Sequence, residues 1–123
     1  MAICILWGGP VAAQQVIADF YTGLGPVDMF NSSGKRLTRI ADILQQDRAN
    51  FHRFGRREDG DGYDPIFADR AARARIPELY NRGPGSEPYL EQFLNDGISL
   101  FVRVTVYGTN GMPTFLVISE GAG

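Results

Sequence analysis

Three features of the sequence predict an α+β domain, with about three helices packed on one face of a small antiparallel sheet. Short apolar runs separated by turns occupy 14–36, a long helical pattern covers 37–55, and 98–119 has the pattern of a β-hairpin. Strands, then helices, then a hairpin are typical of this class. A chain of 123 residues is expected to form one domain, here 14–123.

The stretch 37–55 gives the longest helical signal. Thr38 is placed to cap the first N–H groups, and Gly55 is placed to end the helix. The apolar stripe consists of Ile40, Ile43, Leu44, Phe51 and Phe54. We expect it to pack against the hairpin, where one parity of the first strand is apolar: Leu100, Val102, Val104 and Val106.

The residues before this helix predict short extended segments. Residues 16–21 form an apolar run that favours a strand or a helical turn, and 27–30 alternates as a strand does. Glycine and proline in 23–26, and Asn-Ser-Ser-Gly in 31–34, predict turns.

Beyond the long helix, 56–65 has the composition of a loop. Asp64 is placed to cap a helix over 66–76 with proline in its first turn. Pro77 is expected to kink that helix or to start a further turn.

The C-terminal part predicts one more helix and the hairpin. Ser86 is placed to cap a helix over 87–96. Residues 98–107 and 113–119 are rich in β-branched and aromatic side chains, and a glycine-containing turn joins them. Side chains alternate between the two faces of a strand, so Arg103 is expected on the face away from Val102 and Val104, towards solvent or a cleft.

Residues 1–13 are interpreted as a truncated signal segment. An apolar run is followed by a Gly-Gly-Pro break and by Val11-Ala12-Ala13, which fits a small-residue cleavage site. The positively charged front of such a signal is missing, so the natural start is expected upstream. The alternative is a short buried strand over 2–7. The signal interpretation predicts a periplasmic or secreted protein. The sequence has no run of about 20 apolar residues, so it predicts no membrane span.

Charge and composition narrow the classes of function. The formal net charge of −2 argues against a dedicated nucleic-acid binder. Basic residues are concentrated in 35–82, with eleven Lys/Arg against eight Asp/Glu, although a GC-rich genome also favours arginine. One cysteine, Cys4, and one histidine exclude a Cys/His metal site.

The basic residues near the end of the long helix are the candidate binding site. They are Arg48, His52, Arg53, Arg56 and Arg57. Spacing by four residues would place Arg48, His52 and Arg56 on one helix face. They would form a ridge that could bind a small anion or an acidic protein partner. The alternative is a solvated face without a ligand. The leading hypothesis is therefore a small exported binding protein of unknown ligand.

Two other functions stay open. A small hydrolase-like enzyme would need a cleft built from Asp47, His52 and Arg103, although Asp47 and His52 are too far apart on the helix to form a local pair. Asp47 by itself is interpreted as an edge carboxylate beside an arginine. The third possibility is a structural domain without a ligand. The motifs of serine hydrolases, P-loops and dinucleotide-binding folds are absent.

The acidic loop 58–64 is the only candidate for a cation site. Its possible oxygen ligands are Asp59, Asp61 and Asp64. Tyr63 and Arg70 stand where an EF-hand needs further oxygen ligands. We therefore expect no bound metal and no cofactor.

Part of the chain resembles a known group of proteins. The run Asn31-Ser-Ser-Gly-Lys-Arg-Leu-Thr38, followed by Ile43-Leu-Gln-Gln-Asp-Arg-Ala-Asn-Phe-His-Arg-Phe-Gly55, resembles small uncharacterised secreted proteins of proteobacteria. The resemblance covers the middle third and the closing hairpin. It implies a bacterial origin and an exported location, and it implies no activity.

Overall fold

Three antiparallel strands in the order β1-β2-β3 form the sheet. In the computed structural model, which describes residues 13–53 and 62–121, they are β1 Gln15–Leu24, β2 Leu100–Thr109 and β3 Met112–Glu120. The class predicted from the sequence, α+β with a C-terminal hairpin, is confirmed. Both residues of the tight turn between β2 and β3 have positive φ, 54° at Asn110 and 77° at Gly111, as a type I′ hairpin turn requires.

The described residues contain four α-helices and a short 3-10 helix. These are the 3-10 helix Pro26–Met29, α1 Ile40–His52, α2 Arg70–Ala74, α3 Ile76–Arg82 and α4 Pro88–Asn95. The helix expected over 66–76 is shorter and begins later, because Asp64 caps only a turn, accepting from the Ile66 and Phe67 N–H groups. Pro77 lies in the first turn of α3, where its missing N–H has no cost.

The expectation of a strand over 27–30 was wrong. Pro26 occupies the first turn of a 3-10 helix, and the Asp28 carboxylate accepts a hydrogen bond from the Gly25 N–H at 2.9 Å. The Asn50 side chain on α1 donates to the same buried carboxylate at 2.8 Å. These two bonds satisfy Asp28 inside the protein, and an extended backbone would break the first of them.

The start of α1 also differs from the expectation. Arg39 rather than Thr38 is the N-cap residue, and its side chain makes no capping bond. The Ile40 N–H instead donates to the Glu91 carboxylate on α4, at 2.8 Å. The Glu91 carboxylate, from a distant part of the chain, therefore accepts from the start of α1 in place of the Thr38 hydroxyl. At α4 the N-cap is Glu87, while Ser86 forms a hydrogen bond with the Tyr80 hydroxyl at 2.7 Å.

The helices cover one face of the sheet and enclose the core. The sheet contributes Val102, Val104, Val106, Leu116 and Ile118, and the helices contribute Ile43, Leu44, Ile76, Leu79, Leu90 and Leu94. The main helical neighbour of the hairpin is α3, which lies against β3, whereas α1 packs chiefly on α3 and the 3-10 helix. Ile43 and Leu44 of α1 share this core with Val102, Val104 and Val106 of the hairpin, as expected. Phe51 is buried but does not belong to this core, and Phe54 lies outside the described residues. No helix in the described ranges has both the length and the apolar character needed to cross a membrane.

Candidate functional site

Arg48, a predicted surface residue, is completely buried on α1. Its Nε donates to the Asp47 carboxylate at 2.8 Å, and its Nη1 donates to the Asp64 carboxylate at 2.9 Å. The remaining bonds go to the Gly62 carbonyl and the Thr22 hydroxyl, both at 2.8 Å. Buried guanidinium groups are found where partners of this kind satisfy them. The proposed exposed ridge therefore loses its first member.

Two aromatic rings complete the surroundings of Arg48. The guanidinium carbon lies 4.7 Å from the ring centroid of Phe20 on β1 and 4.6 Å from that of Phe51 on α1. A cation at this distance is attracted by the electron-rich ring face, the more so where water is excluded. Phe51 is thus buried, and its ring packs on the Arg48 cation and edge-on against the His52 ring.

His52 belongs to the same buried network. Its side chain is 6% exposed, and its Nε2 lies 2.8 Å from the Asp64 carboxylate. An ionised carboxylate can only accept, so Nε2 carries the hydrogen. The carboxylate that orients His52 is therefore Asp64 and not Asp47. His52 does not lie on a solvated ridge.

Asp64 is the centre of this network. One carboxylate oxygen accepts from Arg48 and His52, and the other accepts from two backbone N–H groups. Burial by itself would raise the pKa of the Asp64 carboxyl. The hydrogen bonds from His52, from the Phe67 N–H and from Arg48 outweigh burial and hold that pKa below its usual range. With both oxygens engaged in this way, Asp64 has no room for a cation, while Asp59 and Asp61 lie outside the described residues.

The cleft of the hydrolase alternative is not assembled. Asp47 is buried and accepts a hydrogen bond from the Thr22 hydroxyl at 2.8 Å, on the helix-covered side of the sheet. Arg103 lies on the open side, where its Nε donates to the Asp19 carboxylate at 2.8 Å. Its orientation away from the neighbouring valines was predicted correctly. The sheet itself separates Arg103 from the other two residues.

An open groove of about 390 Å³ runs along the polar face of α1, beside α2. The side chains from α1 are Asp42, Gln45, Gln46, Ala49 and Arg53, and those from α2 are Arg70, Arg73 and Ala74. Leu37 and Asn31 close it on the side of the preceding turn. Volumes of this size are typical of small-ligand sites. We take this groove as the candidate site.

Three arginines give the groove a basic end. Arg53 is exposed at the C-terminal cap of α1, and Arg70 is exposed at the start of α2. Arg73 is nearly buried, because its Nη1 donates to the carbonyls of residues 67 and 68, at 3.0 and 2.9 Å. Of the three predicted binding residues that the structure describes, Arg48, His52 and Arg53, only Arg53 lines this groove. Arg56 and Arg57 lie outside the described residues.

Sequence reasoning missed Arg70 and Arg73 as site residues. The available signal was their spacing by three residues, which places both on one side of a helix. Nothing in the local pattern indicated that this helix would lie beside α1, because the intervening loop has no periodicity. Comparison of the chain with family models, with characterised proteins and with solved structures gave no match.

The buried network yields a prediction on stability. Replacing Arg48 with Ala leaves two buried carboxylates without their cation, which typically costs about 3–5 kcal/mol. That is a large part of the roughly 5–15 kcal/mol that a domain of this size has. Urea unfolding of Arg48→Ala should show a much lower midpoint than the parent protein.

The matched control is Arg103→Ala, which breaks an ion pair on the exposed sheet face. Exposed pairs contribute little, so its midpoint should stay close to that of the parent. Equal midpoints for the two variants would contradict the structural role given to Arg48.

The lowered pKa of Asp64 predicts how stability depends on pH. In the folded state the carboxyl binds its proton less tightly than at its ordinary pKa of 3.8. The ionised Asp64 therefore makes its full contribution to the free energy of unfolding above its ordinary pKa. That contribution is lost as the pH falls through the lower pKa of the folded state. The free energy of unfolding of the parent should fall more steeply below about pH 4 than that of Asp64→Asn, in urea melts from about pH 6 to pH 3. Parallel curves would refute this assignment.

Proposed function

We propose that this protein binds a small anion at the basic end of the groove between α1 and α2. The observation that carries the proposal is Arg70, which forms no ion pair with any residue in 13–53 or 62–121. Outside the groove, the arginines with exposed side chains in these ranges are paired: Arg39 with Glu91, Arg75 and Arg82 with Glu78, and Arg103 with Asp19. An unpaired guanidinium beside two others in a concave site is suited to an anionic ligand.

The chemistry of the groove favours a carboxylate or a phosphate. A guanidinium group presents parallel N–H donors that match two oxygens of either group. Arg73 is held in place by its bonds to backbone carbonyls, so part of the site is organised before a ligand arrives. A small anion fits a concave site of about 390 Å³ better than an acidic protein does, because a protein presents a flat surface.

Export from the cytoplasm is also part of the proposal. It is supported by the sequence alone, through the apolar run followed by Val11-Ala12-Ala13 and through the resemblance of the middle third to secreted proteins. We expect protein purified from its native host to begin near Gln14. Intact-mass measurement tests this, and a cytoplasmic protein that retains residues 1–13 would refute it.

Anion binding is predicted to depend on Arg70. Backbone chemical shifts should move around residues 45–53 and 70–74 during titration with phosphate or succinate, and more weakly at high salt, because exposed charges are screened. Arg70→Gln should weaken binding by several fold. The matched control is Arg82→Gln, an exposed arginine on α3 that does not line the groove.

Loss of binding in both variants would indicate a nonspecific effect of net charge. Unchanged binding in Arg70→Gln would show that the anion binds elsewhere. A protein with no shift changes at all would be better described as a structural domain without a ligand.

A further inference from the structure

The candidate groove has an acidic end as well as a basic one. Asp42 lies in the first turn of α1, and Arg53 lies at its C-terminal cap. Arg53 is eleven positions after Asp42, so their Cα atoms are about 16 Å apart along the helix axis at about 1.5 Å per position. Asp42 forms no ion pair within the described part of the chain, and neither does Arg70. The two ends therefore carry opposite charges, and Asp42 and Arg70 are not neutralised by any residue that the structure describes.

Polar amide groups lie between the two charged ends. Gln45 and Gln46 face the groove from the middle of α1. Gln46 donates one hydrogen bond to the Asn50 side chain at 3.0 Å, which leaves its carbonyl oxygen as an acceptor. Gln45 has no hydrogen bond to the residues that the structure describes. Amide side chains both donate and accept, as the peptide groups of a ligand would require.

We propose that the ligand is a short peptide in an extended conformation, with its amino end at Asp42 and its carboxylate at the arginine end. This rests on the proposed function, because the carboxylate is the anion that Arg53 and Arg70 would bind. A chain that rises about 3.3 Å per residue spans the separation of the charged ends with about five residues. The charge order of the groove determines the direction of the peptide.

Other ligands fit the groove less well. Inorganic phosphate would use the basic end alone and leave Asp42 and Gln45 without a role. A polyanion long enough to fill the groove would place negative charge beside Asp42, where like charges repel. An apolar ligand would leave the charged ends unpaired. A ligand with an amine at one end and a carboxylate at the other matches both ends at once.

The test uses glycine oligomers of three to seven residues with free ends, titrated into the full chain by calorimetry or NMR. Affinity should peak near five residues, because shorter oligomers cannot reach both ends. N-acetylation of the pentamer should weaken binding by about two- to fivefold, as expected for loss of one exposed ion pair. Asp42→Asn should weaken the unmodified pentamer similarly and leave the acetylated pentamer unaffected.

The matched control is Asp96→Asn, an exposed carboxylate at the end of α4 that does not line the groove. It should bind both pentamers as the parent does. Asp42 and Arg70 both lie at the surface, so melting curves should confirm that their variants remain folded.

The outcomes separate this inference from the proposed function. If acetylated and unmodified pentamers bind equally, or no oligomer binds, while Arg70→Gln still weakens phosphate binding, the peptide inference is overturned and the anion site stands. If Arg70→Gln changes neither peptide nor phosphate binding, both fall. If Asp96→Asn weakens the pentamer as much as Asp42→Asn, the amine is not bound at Asp42 and the inference is overturned.

Discussion

The buried guanidinium of Arg48 is the constraint on which the rest of the structure depends. A charge without water must be paired and hydrogen-bonded, and its partners come from separate parts of the chain. Thr22 lies on β1, Asp47 on α1, and Asp64 in the turn after residue 62. Removing the cation would leave two carboxylates buried and uncompensated. The network therefore admits one arrangement of these three segments and penalises the others.

This arrangement also builds the groove. Asp64 binds Arg48 and His52 on α1 and accepts from the backbone of the turn that leads into α2. Since the turn is held there, α2 lies beside α1, and Arg70 reaches the polar face of that helix. Two of the predicted binding residues, Arg48 and His52, are thus structural. They position the arginines that we propose to bind the ligand.

Neighbouring segments cover backbone groups on the outer strands of the sheet. The Gly62 N–H donates to the Tyr21 carbonyl at 2.7 Å, which covers a group on the outer edge of β1. On β3, Gly83 approaches the Leu116 carbonyl so closely that a Cβ there would lie 2.6 Å from the oxygen. Edge groups covered in this way are protected from pairing with other chains. On the open face, aromatic rings stack across strands, with Tyr107 and Phe115 4.7 Å apart.

The sequence by itself determined the elements whose signal is local: the α1 helix, the hairpin, and the outward orientation of Arg103. Periodicity and turn residues act within a few positions, so they can be found without knowing the fold. Only the tertiary structure decided what depends on distant partners. Glu91 caps α1 in place of Thr38. His52, predicted on the surface, is buried and bonded to Asp64. Arg70 lines the same groove as Arg53. The physical reason is that burial and charge pairing depend on neighbours in space, which a local pattern does not record.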